Sequence, residues 1–385
     1  MSTALLLKGV RVIELCWVWS GPLVGQLLAD LGAEVIKVEW YKRFDLYRTR
    51  GVERLTGKVP ERIRREMSQS FHGLNRNKTG VTLDLKDPVH RDALIDLARK
   101  SDLVIENFTY GTIDRLGAGY DALSAANPAI VLLSLAGFGS TSRLADMRAY
   151  GLALSSLSGV EAKVVDPRTG GFLGSPTFVA SDPNAACYGL IAAIAGVLEA
   201  RRTGRGSHIE VSQLEAAAHV SDDDDKDIAA IGESLGSGGE LPAGSSRVVP
   251  TGDAQHLCVA LSAGTSDADF ERVRASATTL PADLAIAAFE GIGAKAIRVI
   301  EQPLEFGAGS ALSGTLIPTV HPMTGAENIV AAPWWVDGSR APLRKTAPTL
   351  GEGNAYVLGT LLGWKPEQYE SLEAQAMKSS DAGRP

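Results

Sequence analysis

At 385 residues the chain is too long for one small core and predicts two or three domains. With 45% apolar and 22% charged residues and 41 glycines, it has the composition of a globular α/β protein, which excludes a disordered chain. The net charge of −7 offers no overall field to recruit nucleic acid or an anionic membrane, so any anionic ligand must be held by local arginines and lysines.

"VRVIEL" (10–15), a loop "CWVWSGP", an apolar run "LVGQLLADLG" and "AEVIKVE" (33–39) predict strand, helix and strand, with Gly32 closing the helix. The basic stretch 41–69 has no strand pattern and reads as a solvated excursion with a short helix over 59–69. A second cycle follows: strand 80–86, a helix from Asp87, strand 101–108 and strand 129–139. In "KDPVHRDAL" Asp87 is the N-cap and Pro88 the first helical residue. Strands that are nearly continuous Val, Ile and Leu, alternating with helices, imply a parallel sheet covered on both faces, so about the first 140 residues form a Rossmann-like layer.

Residues 183–200 predict a long apolar helix with Asp182 as its N-cap and Pro183 at its first position, a place where the helix dipole keeps a carboxylate ionised. "RRTGRG" ends that helix, 207–212 returns as a strand and "QLEAAAHV" starts another helix. From 221 an acidic run and a Gly/Ser-rich stretch mark a linker. The expected division is a large Rossmann-like domain over 1–220, a smaller middle α/β domain over 221–320, and a segment 321–385 that returns to the large domain with a short helix at 352–362.

No GxGxxG follows a predicted strand and no GxxxxGK[ST] is present, which argues against dinucleotide binding and nucleotide hydrolysis. Cys16, Cys187 and Cys258 are too widely spaced for a disulfide framework or a zinc site, and the six histidines offer no metal spacing or triad. With no basic signal-like start and no run of about 20 apolar residues, the expectation is a cytoplasmic protein with neither metal nor membrane anchor. Positive residues beside the strand ends, Lys37, Arg76, Lys78, Lys86 and Arg115, are candidates to hold a phosphate-bearing ligand, because ligands of such sheets bind at the carboxyl ends of the strands.

Six segments taken together resemble the class III CoA-transferases, of the formyl-CoA transferase and carnitine CoA-transferase type. They are "LLLKGVRVIELCWVWSGPLVGQLLADLGAEVIKVE", "LNRNKTGVTLDLK", "SDLVIENFTYGTIDRLGAGYDAL", "SLAGFG", "SDPNAACYGLIAAIAGVLEARRTGRGSHIEVSQLEA" and "PTLGEGNAYVLGTLLG". The resemblance implies an interlocked homodimer, with a hetero-oligomer containing a homologous subunit as the alternative. It places the nucleophilic aspartate at Asp182, with Ala186 where the family usually has glycine. It also implies an acyl-CoA and a carboxylic acid as substrates, with no permanently bound cofactor.

By the same resemblance CoA binding falls on Trp19, Ser20, Trp40, Leu83, Asp84, Leu85, Lys86, Asn107, Phe108, Thr109, Arg115, Ala136 and Gly137. Some relatives carry a basic residue at the positions of Trp40 and Ala136. The stretch "GSGGE" (236–240) is the candidate for a mobile glycine-rich lid, or else a plain linker. The alternative enzyme of the superfamily, an acyl-CoA racemase or epimerase, relies on a central histidine that this chain lacks; a noncatalytic subunit is the other alternative. Trp17, Trp19, Trp40 and Tyr41 crowd the first strand ends and either pack in the core or shape a pocket for an aromatic or bulky acyl group; the acid is expected to be aromatic or dicarboxylic.

Overall fold

The structure is a computed structural model that describes residues 5–163, 171, 180–221, 246–261, 265–299 and 314–378. The chain divides into two compact units, Met1–Asp222 with Thr315–Pro385 and, between them in sequence, Asp223–Gly314.

The first unit is built in chain order from β1 (Arg11–Leu15), α1 (Ser20–Asp30), β2 (Glu34–Glu39), α2 (Glu61–Arg64), α3 (Gln69–Asn75), β3 (Lys78–Thr82) and α4 (Pro88–Ala98). There follow β4 (Leu103–Glu106), α5 (Thr112–Arg115), α6 (Tyr120–Ala126), β5 (Val131–Ala136), α7 (Gly151–Leu157), α8 (Ser181–Thr203), β6 (His208–Ser212) and α9 (Gln213–Ser221). Strands β1 to β6 form one parallel sheet in the order β3-β2-β1-β4-β5-β6. Successive strand residues point to opposite faces, and here both faces are buried. Ile13, Ile36, Val81 and Val104 enter one apolar cluster, with Leu94, Leu97, Val357 and Leu358; Val12, Val35, Ile105 and Val131 enter the other, with Val24, Leu28, Ala193 and Val197.

Local sequence accounts for the elements that pack on this sheet. Helix α4 starts as read, with the Asp87 carboxylate accepting the Val89 N–H at 2.8 Å and Pro88 at the first position. Helix α8 lies close on β5 and β6: a Cβ at Gly189 would stand 3.0 Å from Leu135 Cδ2, and one at Gly196 2.8 Å from Ile209 Cδ1. Ala185, Ala186 and Ala193 complete that small-residue face. Among the described residues α8 is the one helix long and apolar enough to cross a membrane by length and composition.

The excursion after β2 differs from its sequence reading. It carries two short helices, α2 and α3, rather than one over 59–69, and its charges are not all solvated. The Arg48 guanidinium is fully buried, bonded to Glu39 (2.7 Å) and Glu66 (2.7 Å) and stacked 3.8 Å above the Phe71 ring, while Arg65 joins Glu66 (3.2 Å) to Glu373 (2.7 Å). Carboxylates from β2 (Glu39), from the excursion itself (Glu66) and from the returning C-terminal segment (Glu373) draw these arginines inward. The C-terminal stretch expected as a helix at 352–362 is a π-helical turn, Ala355–Leu361, preceded by the hairpin β10 (Leu316–His321) and β11 (Gly325–Val330).

The second unit is an antiparallel sheet, β7 (Ser246–Pro250), β8 (His256–Ala260) and β9 (Lys295–Arg298), with helices Asp267–Ala277 and Ala282–Glu290. Val249, Leu257, Val259, Phe270 and Phe289 form its own core. The stretch 236–240 lies outside the described residues.

Candidate active site

In the strand order above, the chain runs outward in one direction from β1 through β2 and β3, and in the other from β4 through β5 and β6. The carboxyl ends of β1 and β4 therefore flank the switch point at which ligands of open α/β sheets bind. A cavity of about 530 Å³ opens there. Ser20, Trp40, Leu83, Asp84, Leu85, Lys86, Asn107, Phe108, Thr109, Gly137 and Asp182 all line it. Three other sequence candidates stand outside its wall. Trp19 packs beside Tyr47 and Phe71, Arg115 is exposed and donates to the Thr112 hydroxyl at 2.9 Å, and Ala136 is buried at the end of β5.

The floor of the cavity is a hydrogen-bonded clamp between the loops after β1 and β4. Asn107 Oδ1 accepts the Trp17 N–H at 2.9 Å, and Asn107 Nδ2 donates to the Trp17 carbonyl at 2.7 Å and to the Ser20 hydroxyl at 3.4 Å. Val18, held between them, sits at φ +71°, a left-handed conformation that a β-branched residue adopts only when its surroundings impose it. Its N–H is tied to Asp45 at 2.9 Å. Ser20 lies beside Asp182, and its backbone N–H and hydroxyl both favour the carboxylate anion.

Asp182 is not the cap of its helix. Helix α8 begins at Ser181 with Ala180 as N-cap, which makes Asp182 the second helical residue and Pro183 the third. The Ser181 hydroxyl donates to the Gly151 carbonyl at 2.8 Å and so ties this first turn to the start of α7. Released from capping, the Asp182 carboxylate turns to Ser20 and the cavity. Burial pushes its pKa up, against the two Ser20 donors that favour the anion. Dipole reasoning had suggested only stabilisation of the anion; partial desolvation outweighs it and makes the carboxylate more basic.

The structure also re-sorts the positive charges. Lys37 is fully buried between Glu14 (2.9 Å) and Asp45 (3.0 Å), Lys78 meets the other Glu14 oxygen at 2.7 Å, and Arg76 pairs with Asp30 at 2.6 Å. These three are internal counter-ions and are closed to a ligand. The cations that line the cavity are Arg43, Lys86 and Arg148, and none of them pairs with a carboxylate among the described residues. A narrow turn delivers Arg43, where residues 40 and 43 exchange backbone hydrogen bonds of 3.2 and 2.9 Å.

Sequence reasoning missed Arg43, Arg148, Met147, Tyr150 and Gln213, all in the cavity wall. Residues 143–151 carry no periodicity and no motif. The available signal was their position between β5 and the helix that bears Asp182.

Comparison with known proteins follows the same outline. A family model described as CoA-transferase family III matches residues 7–291. Over 217 residues the chain is 33% identical to a succinate–glutarate CoA-transferase of Agrobacterium fabrum, covering 56% of this chain and 52% of that protein. Over 211 residues it is 36% identical to an acetyl-CoA:oxalate CoA-transferase of Acetobacter aceti, covering 54% and 50%. The matches thus span about half the length of these curated relatives. Among solved structures, a CAIB/BAIF family protein from Brucella suis superposes with a TM-score of 0.74 at 24% identity, covering 92% of this chain and 99% of that one. With its Rossmann-like parallel sheet and a family match across most of its length, the chain belongs to CoA-transferase family III.

Proposed function

We propose that the protein transfers CoA from an acyl-CoA donor to a carboxylic acid, with Asp182 as the nucleophile. The observation that carries this reading is one half-buried carboxylate, without a cationic partner among the described residues, beside Ser20 in the wall of the switch-point cavity. A carboxylate raised in basicity and aimed into a cavity is suited to attack an acyl carbon.

The chemistry balances on that one side chain. An Asp182 oxygen attacks the donor thioester carbonyl and CoA leaves as thiolate, giving an acyl-aspartyl anhydride. The thiolate attacks the aspartyl carbonyl of the anhydride, which releases the donor acid and leaves an aspartyl-CoA thioester. The acceptor carboxylate then displaces CoA to form a second anhydride, and CoA thiolate attacks its acyl carbon, which restores Asp182 and yields the new thioester. No net proton is consumed. The Ser20 donors hold the carboxylate between turns of the cycle, and the rings of Trp40 and Phe108 supply apolar wall around the acyl-CoA.

The three unpaired cations suit a polyanionic ligand: Lys86, beside Leu83 to Leu85, meets CoA phosphates, while Arg43 and Arg148 remain for phosphate or for a second carboxylate of the acid. A dicarboxylic acid is therefore the substrate class we favour, in keeping with the succinate, glutarate and oxalate named for the relatives. An exposed apolar stripe on α8, Tyr188, Ile191 and Leu198, supports assembly as a homodimer or with a homologous subunit.

The test is incubation with succinyl-CoA and other acyl-CoA donors, hydroxylamine trapping and mass analysis of peptides. A hydroxamate on Asp182 is the expected product. A modified residue elsewhere, or turnover without a covalent intermediate, overturns the mechanism.

A further inference from the structure

Glu106, the last residue of β4, is a buried carboxyl that the proposed chemistry leaves unused. Its Oε2 accepts the Phe108 N–H at 2.8 Å, across the very loop whose Asn107 clamps Trp17 and Ser20. The Ser134 hydroxyl of β5 lies beside the Glu106 carboxyl and favours its anion, and Ser134 Oγ lies 3.0 Å from Nε2 of His208 on β6. His208 is exposed and stacks on Tyr120 at 5.7 Å. A chain of neighbouring polar groups therefore runs from the surface through His208, Ser134 and Glu106 to the 107–108 loop, and on through Asn107 and Ser20 to Asp182.

We propose that Glu106 is a positioning residue: it sets the loop that carries Asn107 and Phe108, and through them the attitude of Ser20 toward Asp182, with a proton exchanged along Ser134 and His208. The path has two proton arrangements. When Glu106 is ionised, Ser134 donates to it and His208 donates to Ser134, and the Phe108 bond is charge-assisted. When Glu106 holds the proton, it donates to Ser134, Ser134 donates to His208, and the Phe108 bond weakens to a neutral one.

The surroundings place this exchange near neutrality. Burial pushes the Glu106 pKa up to about 7, opposed by the Ser134 hydroxyl and the Phe108 bond and assisted by Asp114 on α5 and Glu210 on β6. The Cys16 thiol, which burial keeps protonated, is a further titratable neighbour. Among the described residues, the groups that bear most on Glu106 include no cation.

The inference rests on the transferase reading for its kinetic arm, and an activity-free arm keeps the two separable. Exchange is measured from about pH 5.5 to 8.5 in wild type, Glu106→Gln and Ser134→Ala. Loss of the charge-assisted bond is expected to raise the wild-type KM for acyl-CoA about fivefold as pH falls through neutrality, with a smaller change in kcat. Glu106→Gln keeps an oxygen for Phe108 but cannot ionise, so its KM stays at the low-pH value throughout. Any limb owed to Asp182 is common to both proteins and cancels in their ratio. Ser134→Ala removes a donor to the anion and moves the wild-type step to higher pH.

In the second arm, tryptophan fluorescence of ligand-free protein is titrated, because the Trp17 ring stands edge-on to Phe108 at 6.0 Å. A step near neutrality in wild type, absent in Glu106→Gln and displaced in Ser134→Ala, is expected. A Glu106→Gln variant that keeps the wild-type step overturns the proposal. If Glu106→Gln does not fold, an unmoved step in Ser134→Ala does so. If no donor is turned over, the transferase reading fails while the fluorescence titration still decides the role of Glu106.

Discussion

Two charged regions of the first unit are built on opposite rules. Beneath β1 to β3, Glu14, Lys37, Lys78, Asp45, Glu39, Arg48 and Glu66 are buried, and each is matched by a partner of opposite charge within 3.0 Å. Around the cavity, Arg43, Lys86 and Arg148 pair with no described carboxylate, and Asp182 and Glu106 have no cationic partner among the described residues. Burying a charge is costly unless it is paired, so the first set is what a stable interior requires. Charge left unpaired beside a cavity is where a ligand or a reaction supplies the counterpart.

The contrast predicts that substitutions divide into two classes, and the largest effect is expected on activity. Asp182→Ala should lower exchange by about 10⁴-fold or more, with Tm and CoA binding unchanged. A variant that retains full turnover ends the nucleophile assignment, and one that unfolds places Asp182 in the structural class.

Next in size is Lys37→Met, which strands Asp45 as a buried anion and leaves Glu14 with Lys78 as its one cationic partner among the described residues. Removing one partner of such a group should cost about 3–5 kcal/mol in urea unfolding. If stability is unchanged, the pairing rule fails for that region.

Arg43→Ala and Arg148→Ala should each raise the KM for the anionic substrates about tenfold, an effect that shrinks with added salt, and leave Tm where it was. A loss of Tm without a KM change would move either residue to the opposite class.

The smallest effects are differences with pH. Burial raises the Glu39 pKa, but Arg48 and then Lys37 outweigh it and hold the carboxylate at about 2. Its folded-state value is depressed, so its contribution is fully present above about pH 4.3 and is lost as pH falls toward 2. Glu106, raised to about 7, works the other way: the folded state binds the extra proton, and stability falls as pH rises from about 4.5 to 7. Glu106→Gln should therefore gain Tm relative to wild type at pH 8 and match it at pH 5, as read by calorimetry. Equal shifts at both values would remove Glu106 from the ionising groups.

Much of the large unit was legible before its structure. The strand and helix alternation through β6 follows from apolar runs and turn residues, and the Asp87 cap and the Gly204 stop of α8 stand where local chemistry puts them. Eleven of the fourteen site residues carried by resemblance line one cavity, although they come from five strand ends and the start of α8. The exceptions are instructive. Asp182 had every local mark of an N-cap, yet Ala180 holds that position and leaves the carboxylate free to meet Ser20. Residues 145–151 enter the wall with no pattern of their own, because their placement depends on contacts such as Ser181 with Gly151.

Sequence by itself determined the period of each element, the layered α/β class and, through its motifs, the family and the candidate aspartate, since these depend on neighbours within a few turns of chain. Only the tertiary structure decided which charges are spent on one another. Lys37 meets Glu14 across 23 residues and Arg48 meets the Pro348 carbonyl across 300, and whether a lysine serves as counter-ion or as ligand site depends on burial and on partners that local pattern does not encode.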